Sequence, residues 1–398
     1  MRKIFKTAIV GGGASGLLCA VELLSDGFCG EDVLILERND RVGKKLIATG
    51  NGQGNLTNDN LGKQFFYGDD EFIASFIENA NNVNLKEYFY RLGIPLTSTK
   101  DGKVYPLSKQ ASAVLDVIRG YLEYKGCQIL TAQKVEEIKT CECGFEVLTA
   151  SDKFFAKSVV LATGGAASKQ FGTDGTAYSL VKKFGHERTA IYPSLVQLKT
   201  ETDKIRGLKG LKETAKVTAL VEGKPIKSAT GDLLFTDYGV SGNAIFQISS
   251  CIADKKNAEL LVEFLPELTK EQVKQILIDK QSKPFVKRED AFVGVLNKRI
   301  GQAVIKTAKS QSYAHLADAL KGFRLKVTGS LDFNYAQVTK GGIKTELIDK
   351  ETYQSKLAKN LYIVGEALDV DGDCGGYNLT IAFVTGIVAG RAIKKTLL

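Results

Sequence analysis

The feature that most constrains this chain is a glycine-rich turn close to its start. An apolar run leads into Gly11-Gly12-Gly13-Ala14-Ser15-Gly16, and an apolar helical stretch follows directly. The order strand, Gly-x-Gly-x-x-Gly and helix is typical of a Rossmann βαβ unit. Gly11 permits the tight turn, Gly13 lets the backbone approach a pyrophosphate at the helix N-terminus, and Gly16 lets the helix pack closely on the strand.

A carboxylate at the expected place extends this pattern. The second apolar run, Val33–Leu36, ends at Glu37. A carboxylate there can accept both hydroxyls of an adenosine ribose, and it repels a 2′-phosphate. Strand, turn, helix, strand and acid in this order predict that the chain binds an adenine dinucleotide.

Charge, cysteines and hydropathy argue against several other classes of protein. The net charge of +9 suits phosphates, but the lysines are dispersed and no RNA-binding signature is present, which argues against a nucleic-acid partner. The seven cysteines form no Cys-x-x-Cys pair, as expected for reduced thiols in a cytoplasmic protein. No apolar stretch is long enough to cross a membrane, so no membrane partner is expected.

Two further glycine-rich segments follow apolar strands and would place bare backbone beside a ligand. The first, residues 41–58, contains Lys44-Lys45 and the run Thr49-Gly50-Asn51-Gly52-Gln53-Gly54-Asn55-Leu56. Exposed amides beside two lysines suit a pyrophosphate and a polyhydroxylated chain. The second is Thr163-Gly164-Gly165, directly after a buried strand.

A third glycine-rich segment covers residues 365–380. It begins with Gly365-Glu366 and ends with Gly375-Gly376-Tyr377-Asn378-Leu379, just before an apolar helix. The N-terminus of that helix can stabilise negative charge on a reduced flavin ring. The acids at 369, 371 and 373 resemble a calcium loop, but the glycine position and distal glutamate of that pattern are missing, so no metal site is predicted.

Periodicity predicts how the chain is divided. A discontinuous nucleotide domain, residues 1–192 and 341–398, is interrupted by an insert at 193–340. The insert is predicted to be β-rich at 193–265 and 323–340 and helical at 266–322. Helices are predicted over 69–93 and 109–123, short strands at 154–155 and 159–162, and a final helix over 381–395.

Several of these motifs resemble a known family. The segments 41–58 and 365–380 do so together with Gly172-Thr173-Asp174-Gly175, Gly231-Asp232-Leu233-Leu234-Phe235-Thr236 and Val338-Thr339-Lys340-Gly341-Gly342-Ile343. In order and over nearly the full length, they are similar to the bacterial flavoproteins named for BaiN and aminoacetone oxidase. The resemblance implies an α/β fold: a Rossmann-like FAD-binding domain of the two-dinucleotide-binding-domain type, with an inserted β-rich domain carrying a helical subdomain.

The resemblance also implies roles for individual residues. The turn at 11–16 would hold the pyrophosphate, Glu37 the adenosine ribose, and the Val135 backbone the adenine. The segments 44–56 and 365–379 would meet the ribityl chain and the flavin ring. The candidate cofactor-binding residues are Gly11, Gly13, Ala14, Ser15, Gly16, Glu37, Arg38, Lys44, Lys45, Thr49, Gly50, Asn51, Gly52, Asn55, Leu56, Val135, Thr163, Gly164, Gly165, Gly365, Glu366, Asp369, Gly376, Tyr377, Asn378 and Leu379.

One departure from the family pattern concerns the substrate side. Relatives usually have Gly-Arg-Cys-Asn where this chain has Gly52-Gln53-Gly54-Asn55, so a cation and a thiol beside the cofactor are missing. If those groups act on the substrate in relatives, this chain has another substrate or weaker activity. Tyr377 and His186 are the candidates for acid–base catalysis, although a lone histidine is more often structural.

These observations predict an FAD-dependent oxidoreductase that moves a hydride through tightly bound FAD to or from a small-molecule substrate. An NAD(P)H-linked reductase and an amine oxidase both fit. The chain lacks a second Gly-x-Gly-x-x-Gly with its own strand and acid, so NAD(P)H is expected at most as a transient ligand. Two alternatives stay open: an FAD-dependent tRNA-modifying protein, which would explain the basic charge, and a flavin-binding regulator without turnover. The substrate, the electron acceptor and the oligomeric state are not predicted.

Overall fold

The computed structural model describes residues 3–398, which separate into two compact units. The first unit contains the described residues through Ile191 together with Val338–Leu398, and the second contains Tyr192–Gln337. The second unit ends three residues before the predicted boundary, so residues 338–340 belong to the first unit. There, Thr339 Oγ1 accepts hydrogen bonds from the amides of Ala166 and Ala167 at 2.8 and 3.0 Å.

The chain forms twenty strands. In chain order they are β1 Ile4–Val10, β2 Val33–Leu36, β3 Thr57–Asn58, β4 Phe66–Gly68, β5 Leu96–Ser98, β6 Lys103–Pro106, β7 Gln128–Leu130, β8 Val135–Cys141, β9 Gly144–Thr149, β10 Lys153–Leu161, β11 Tyr192–Ser194, β12 Leu198–Thr200, β13 Lys212–Val221, β14 Lys224–Phe235, β15 Gly239–Ser241, β16 Ala258–Phe264, β17 Phe323–Ser330, β18 Val338–Lys340, β19 Leu361–Ile363 and β20 Val370–Gly372; this count covers residues 3–398.

Ten α-helices accompany these strands in the same part of the chain. They are α1 Ala14–Ser25, α2 Lys44–Ile47, α3 Asp70–Val83, α4 Leu85–Arg91, α5 Ala111–Tyr124, α6 Asn243–Ile252, α7 Lys270–Gln281, α8 Lys298–Thr307, α9 Tyr313–Lys321 and α10 Tyr377–Leu397. None of the helices within residues 3–398 combines the length and the apolar character that a membrane crossing requires.

A seven-stranded sheet carries the first unit. Its order is β7-β2-β1-β10-β9-β8, with β19 paired to β10. β1 is parallel to β2 and β10, and β10 is parallel to β19, so the register aligns Leu36, Val10, Leu161 and Ile363. Glu37 or one of the glycine-rich segments follows each of these four residues. In open α/β sheets ligands bind outside the carboxyl ends of the strands, which is where these segments meet.

Helices α1 and α10 cross closely because a glycine of α10, Gly386, lies at the contact. A Cβ added to Gly386 of α10 would lie 2.2 Å from the carbonyl oxygen of Ser15. Farther along, Lys394 Nζ lies 2.9 Å from Glu22 Oε1. This close crossing fixes the N-terminus of α10 relative to that of α1.

The second unit is built around a closed antiparallel barrel. Its strand order is β12-β15-β14-β13-β16-β17. Alternate residues of β16 point inward, so Ala258, Leu260, Val262 and Phe264 are buried. Closure removes the exposed edges that an open sheet of this length would present.

Two sequence predictions about single elements were wrong. The single helix expected over 69–93 is two helices, because Asn84 adopts φ 49° and its side chain accepts a hydrogen bond from the Glu87 amide to start α4. The short strands expected at 154–155 and 159–162 form one continuous strand, β10. Periodicity cannot detect a break at one residue or a polar residue inside a long strand.

Candidate functional site

The N-terminus of α1 is open to an anion. Gly13 is the N-cap residue, no described side chain caps it, and the first turn carries no acidic residue. A Cβ added to Gly13 would meet no atom of the described chain within 4 Å, whereas one on Gly11 would lie 2.4 Å from Ala162 O. The amides at Ala14 and Ser15 are therefore free to bind an anionic group such as a pyrophosphate.

Glu37 is held rigidly at the end of β2. Its Oε2 accepts from the Gly12 amide at 2.8 Å, and its Oε1 accepts from the Asn39 amide and side chain at 2.8 and 2.7 Å. Arg38 points elsewhere and forms an ion pair with Asp174 at 2.9 Å. The carboxylate that is predicted to bind ribose thus contacts the glycine turn directly.

The segment predicted to contact adenine is connected to Glu37 by a backbone hydrogen bond. The amide of Gln133 donates to Glu37 O at 2.8 Å, two residues before Val135 begins β8. β8 therefore starts close to Glu37 in space, and the backbone contact of Val135 with adenine stays a prediction.

An ion pair joins two of the predicted segments. Lys45 Nζ lies 2.6 Å from Glu366 Oε2, and the amide of Thr339 donates to Glu366 Oε1 at 2.9 Å. Lys44 instead pairs with Asp40, at 2.6 Å and near the surface. Thr339 also binds the two amides after Gly165, so it connects Glu366 to the 163–167 segment. Sequence reasoning did not name Thr339 as a site residue; its only signal was its position in a motif shared with the family.

Gly365, the first residue of the third segment, lies beside the start of α1, where the pyrophosphate is predicted to bind. Its amide donates to Thr385 Oγ1 on α10 at 2.8 Å. A Cβ added to Gly365 would lie 2.7 Å from Ser15 Oγ, and its φ is 71°. Gly365 is therefore in contact with the start of α1, where only glycine fits.

Residues 55–58 pack directly against the start of α10 and form one side of the candidate site. With its amide oriented to satisfy both groups, Asn55 donates to Thr57 O and accepts from Gly376 N, each at 3.1 Å. The hydroxyls of Thr57 and Thr380 lie 2.8 Å apart. A Cβ added to Gly376 would lie 2.3 Å from Thr57 O, so this position requires glycine. The two segments predicted to face the flavin are adjacent.

Tyr377 lies in an aromatic cluster on this side of the candidate site. Its ring stacks on Phe65 with centroids 4.8 Å apart and meets Phe66 edge-on at 5.5 Å. Burial raises the pKa of Tyr377 to about 12, with Asp373 contributing. Tyr377 is therefore a neutral phenol at physiological pH and can donate a hydrogen bond. Its catalytic role stays a prediction.

His186 is buried in a different set of contacts. Its Nε2 lies 2.7 Å from Ser355 Oγ, which also accepts from the amides of Leu357 and Ala358 at 3.0 Å. Ser355 therefore donates to Nε2, and burial lowers the pKa of His186, so the ring is neutral. These contacts stabilise the loop at 355–358, and a catalytic role for His186 stays a prediction.

The loop at 49–56 explains the glycine found in place of the family cysteine. Gly54 has φ 74°, and a Cβ there would lie 3.1 Å from Ala111 Cα. A cysteine would be strained in this backbone and would press on α5. Thr49 Oγ1 donates to Leu46 O at 2.7 Å, and Leu56 is fully buried, so both side chains contact the protein itself; their predicted cofactor contacts stay predictions.

The remaining candidates lie beside these groups. Gly50 and Asn51 adopt left-handed backbone, and Gly52 has open space around it. Asn378 uses its amide to bind both backbone groups of Gly372, at 2.9 and 2.7 Å. Burial raises the pKa of Asp369. Thr163, Gly164 and Leu379 are half-buried at the same ends of β10 and α10.

This set of charged groups and helix N-termini fits an elongated dinucleotide. An uncapped helix N-terminus and a fixed carboxylate lie at one end, the Lys45–Glu366 pair in the middle, and a second helix N-terminus at the other. The turn at 11–16, Glu37 and Glu366 follow the carboxyl ends of parallel strands in one sheet, whereas α10 begins after β20, which pairs with β4 outside that sheet. Fold and site together define a Rossmann-type FAD-binding protein.

The chain belongs to the HI0933-like family, since the description "HI0933-like protein Rossmann domain" matches residues 5–392. It is 35% identical to "3-dehydro-bile acid delta(4,6)-reductase" of Clostridium scindens, over 98% of this chain and 99% of the relative. It is 26% identical to "Ribosomal RNA dihydrouridine synthase" of Haemophilus influenzae, over 99% and 100%. The chain is therefore an FAD-dependent oxidoreductase.

Solved structures share the fold. The 3-ketosteroid-delta4-(5alpha)-dehydrogenase of Rhodococcus jostii RHA1 superimposes with a TM-score of 0.51 at 15% identity, covering 99% of this chain and 97% of that one. The 3-ketosteroid delta1-dehydrogenase of Sterolibacterium denitrificans has a TM-score of 0.52 at 13% identity, covering 99% and 100%. At these identities the likeness concerns architecture alone.

Proposed function

We propose that this chain reduces a carbon–carbon double bond conjugated to a carbonyl group in a small molecule, with electrons supplied by a pyridine nucleotide. The observation that carries the proposal is its 35% identity, over nearly the whole of both chains, to a protein named as a delta(4,6)-reductase. The name of the dihydrouridine synthases also describes adding two hydrogens to a double bond. A conjugated carbonyl polarises such a bond so that a hydride can add to it.

The site residues suit this reaction. When bound, FAD would supply the hydride, and the residues of the site would orient the cofactor and stabilise its charge. The uncapped N-terminus of α1 suits the pyrophosphate, and the N-terminus of α10 favours negative charge at the opposite end. Tyr377 stays neutral and can donate a hydrogen bond to a carbonyl oxygen.

The reaction proposed here uses neither a thiol nor a guanidinium from the 52–55 loop. Gln53 is exposed, and Gly54 occupies a left-handed position closed to larger side chains. This difference separates the chain from relatives with Arg-Cys in the loop and supports a substrate of its own. We infer that the pyridine nucleotide docks transiently, because the chain has one dinucleotide-binding motif.

Anaerobic half-reactions of the FAD-loaded protein test the proposal. We expect NADH or NADPH to bleach the flavin, and a 3-oxo-Δ4 steroid or a cyclic enone to restore its colour without oxygen. The product should be two mass units heavier than the substrate. Bleaching by aminoacetone or other amines, with recolouring only by oxygen, would instead identify an amine oxidase. Glu37→Gln should weaken FAD binding and leave the product unchanged.

A second candidate, reduction of uridine in RNA, is favoured by the charge of the second unit. Residues 270–309 contain ten basic and four acidic residues, a net charge of +6 out of +9 for the whole chain. Phe285 is 81% exposed between the exposed side chains of Lys283 and Lys287. An exposed aromatic ring among cations is a common way to bind single-stranded nucleic acid. Two relatives are named as ribosomal RNA dihydrouridine synthases.

Salt-dependent binding of a short single-stranded RNA distinguishes the two candidates. If RNA is the substrate, Phe285→Ala and the double variant Lys283→Glu, Lys287→Glu should each weaken binding at least tenfold. Lys224→Glu, an exposed change outside the basic segment, is the control. Absence of wild-type binding at low salt would dismiss this candidate and leave the small-molecule proposal in place.

A further inference from the structure

Strand β20 places Asp371 beside the first turn of α10. β20 pairs with β4, and Asp371 lies opposite Tyr67 in the register. The next residue, Gly372, is bound at both its backbone groups by the Asn378 side chain, at 2.9 and 2.7 Å. A Cβ added to Gly372 would lie 2.6 Å from Tyr377 Cβ. Asp371 is therefore next to the residues that hold the helix start on the flavin side.

Asp371 is buried with one oxygen unsatisfied. It is 3% exposed, and its Oδ2 finds no hydrogen-bond partner among residues 3–398. Burial raises the pKa of Asp371 to about 8; Lys340 on β18 opposes the rise, and Asp369, Asp373 and Glu366 add to it. A buried carboxyl that lacks a partner is most stable with its proton on.

The surrounding charges are already committed to other groups. Glu366 is paired with Lys45 at 2.6 Å, and Asp373 accepts from the hydroxyl of Tyr67 on β4 at 2.7 Å. Ionising Asp371 would therefore add a negative charge beside Asp369, Asp373 and Glu366, against which Lys340 acts. In a buried region such a charge acts over several ångströms with little screening.

We propose that Asp371 is a protonation switch for the reduction potential of FAD: it holds a proton at neutral pH, and its ionisation disfavours cofactor reduction. Above its pKa, Asp371 takes one proton from solvent when two electrons enter the site, forming its O–H bond and removing the repulsion. The electrons come from a pyridine nucleotide or from an electrode, and no other bond to Asp371 changes. This inference requires bound FAD but no particular substrate, so it stands apart from the proposed reaction.

Spectroelectrochemical titration of the full-length FAD-loaded protein between pH 6 and 10 tests the inference. Above pH 8 the wild-type midpoint potential should fall more steeply than that of Asp371→Asn, by up to about 30 mV per pH unit, a tenfold change per unit for two electrons. Below pH 7 the two curves should run parallel. Asp101→Asn is the control, because a hydrogen bond from Lys103 keeps the pKa of exposed Asp101 low.

A second measurement uses the wild-type protein alone and applies even if Asp371→Asn loses FAD. Infrared difference spectra with ¹³C-labelled aspartate should show a protonated carboxyl band at pH 7 that disappears as the pH rises through about 8. Reduction of the flavin should shift that disappearance to higher pH. Parallel potential curves for wild type and Asp371→Asn at all pH values, or no protonated carboxyl band at pH 7, would overturn the inference. Substrate turnover enters neither measurement, so its failure leaves this result unaffected.

Discussion

Replacing Asp371 with asparagine should make the stability of the first unit less dependent on pH. The folded protein holds the Asp371 proton up to about pH 8, whereas an unfolded chain releases it near the ordinary value of 3.8. Between these values the unfolded state binds fewer protons, so the free energy of unfolding of the wild type falls as the pH rises. This loss of stability is absent below the pKa of Asp371 in the unfolded chain, 3.8, and it is complete above about pH 8.

The magnitude follows from the size of the shift. Each pKa unit corresponds to about 1.4 kcal/mol, so the difference between variant and wild type grows by up to about 2.7 kcal/mol from pH 6 to pH 8. Asparagine has nearly the same shape, and any loss from its buried amide is constant with pH. We therefore expect Asp371→Asn to gain on the wild type steadily across this range and to stop gaining above it.

Urea unfolding at pH 5, 6, 7, 8 and 9 measures this difference. Flavin fluorescence reports the FAD-binding unit, and equal free FAD in every sample keeps the stabilisation by ligand matched. Asp101→Asn should show a constant difference from the wild type over the same range, because its pKa is already low. If the difference for Asp371→Asn is also constant from pH 6 to 8, Asp371 is ionised in the folded protein and the reasoning fails.

Three further predictions concern the packing and the cofactor. Gly386→Ala should lower the melting temperature because its Cβ would meet backbone at 2.2 Å, whereas Gly120→Ala, with open space at its Cβ, should raise the free energy of unfolding by about 0.5–1 kcal/mol and the melting temperature with it; equal shifts in melting temperature would contradict this. Lys45→Met should weaken FAD binding about tenfold in a fluorescence titration and Lys44→Met much less, because Lys44 pairs with an exposed acid. Gly54→Cys should cost about 1 kcal/mol in thermal unfolding, since φ is 74°, and a neutral result would mean that the loop relaxes.

The fold of the first unit was largely predictable, since its signals are local. A glycine turn, an acid or a Gly-rich run directly follows each of four buried strands, and the rule for parallel sheets brings strand ends together without knowledge of packing. The register of Val10, Leu36, Leu161 and Ile363 agrees with that rule. The family membership and the FAD-dependent oxidoreductase class predicted from these motifs are confirmed by the family match and the named reductase.

The partners within the site were not predictable in the same way. Lys45 and Glu366 are separated by 321 positions, and either could have paired with any nearby opposite charge. Thr339 is an ordinary threonine in a short strand until the fold places its hydroxyl at two free amides. Closure of the barrel in the second unit likewise depends on which strands pair. Such contacts result from tertiary packing, for which a single sequence carries no periodic signal.

The two helix N-termini of the site depend on each other through the packing of α1 on α10. Ser15 lies in the first turn of α1, and its carbonyl oxygen is where Gly386 of α10 makes its closest approach. Gly365 fits between Ser15 and Thr385, so the third segment starts from the same contact. A larger side chain at this crossing would separate the end that suits pyrophosphate from the end that suits the flavin. Gly386 therefore determines the distance between the two helix N-termini that are predicted to bind the cofactor, as well as the stability of the core.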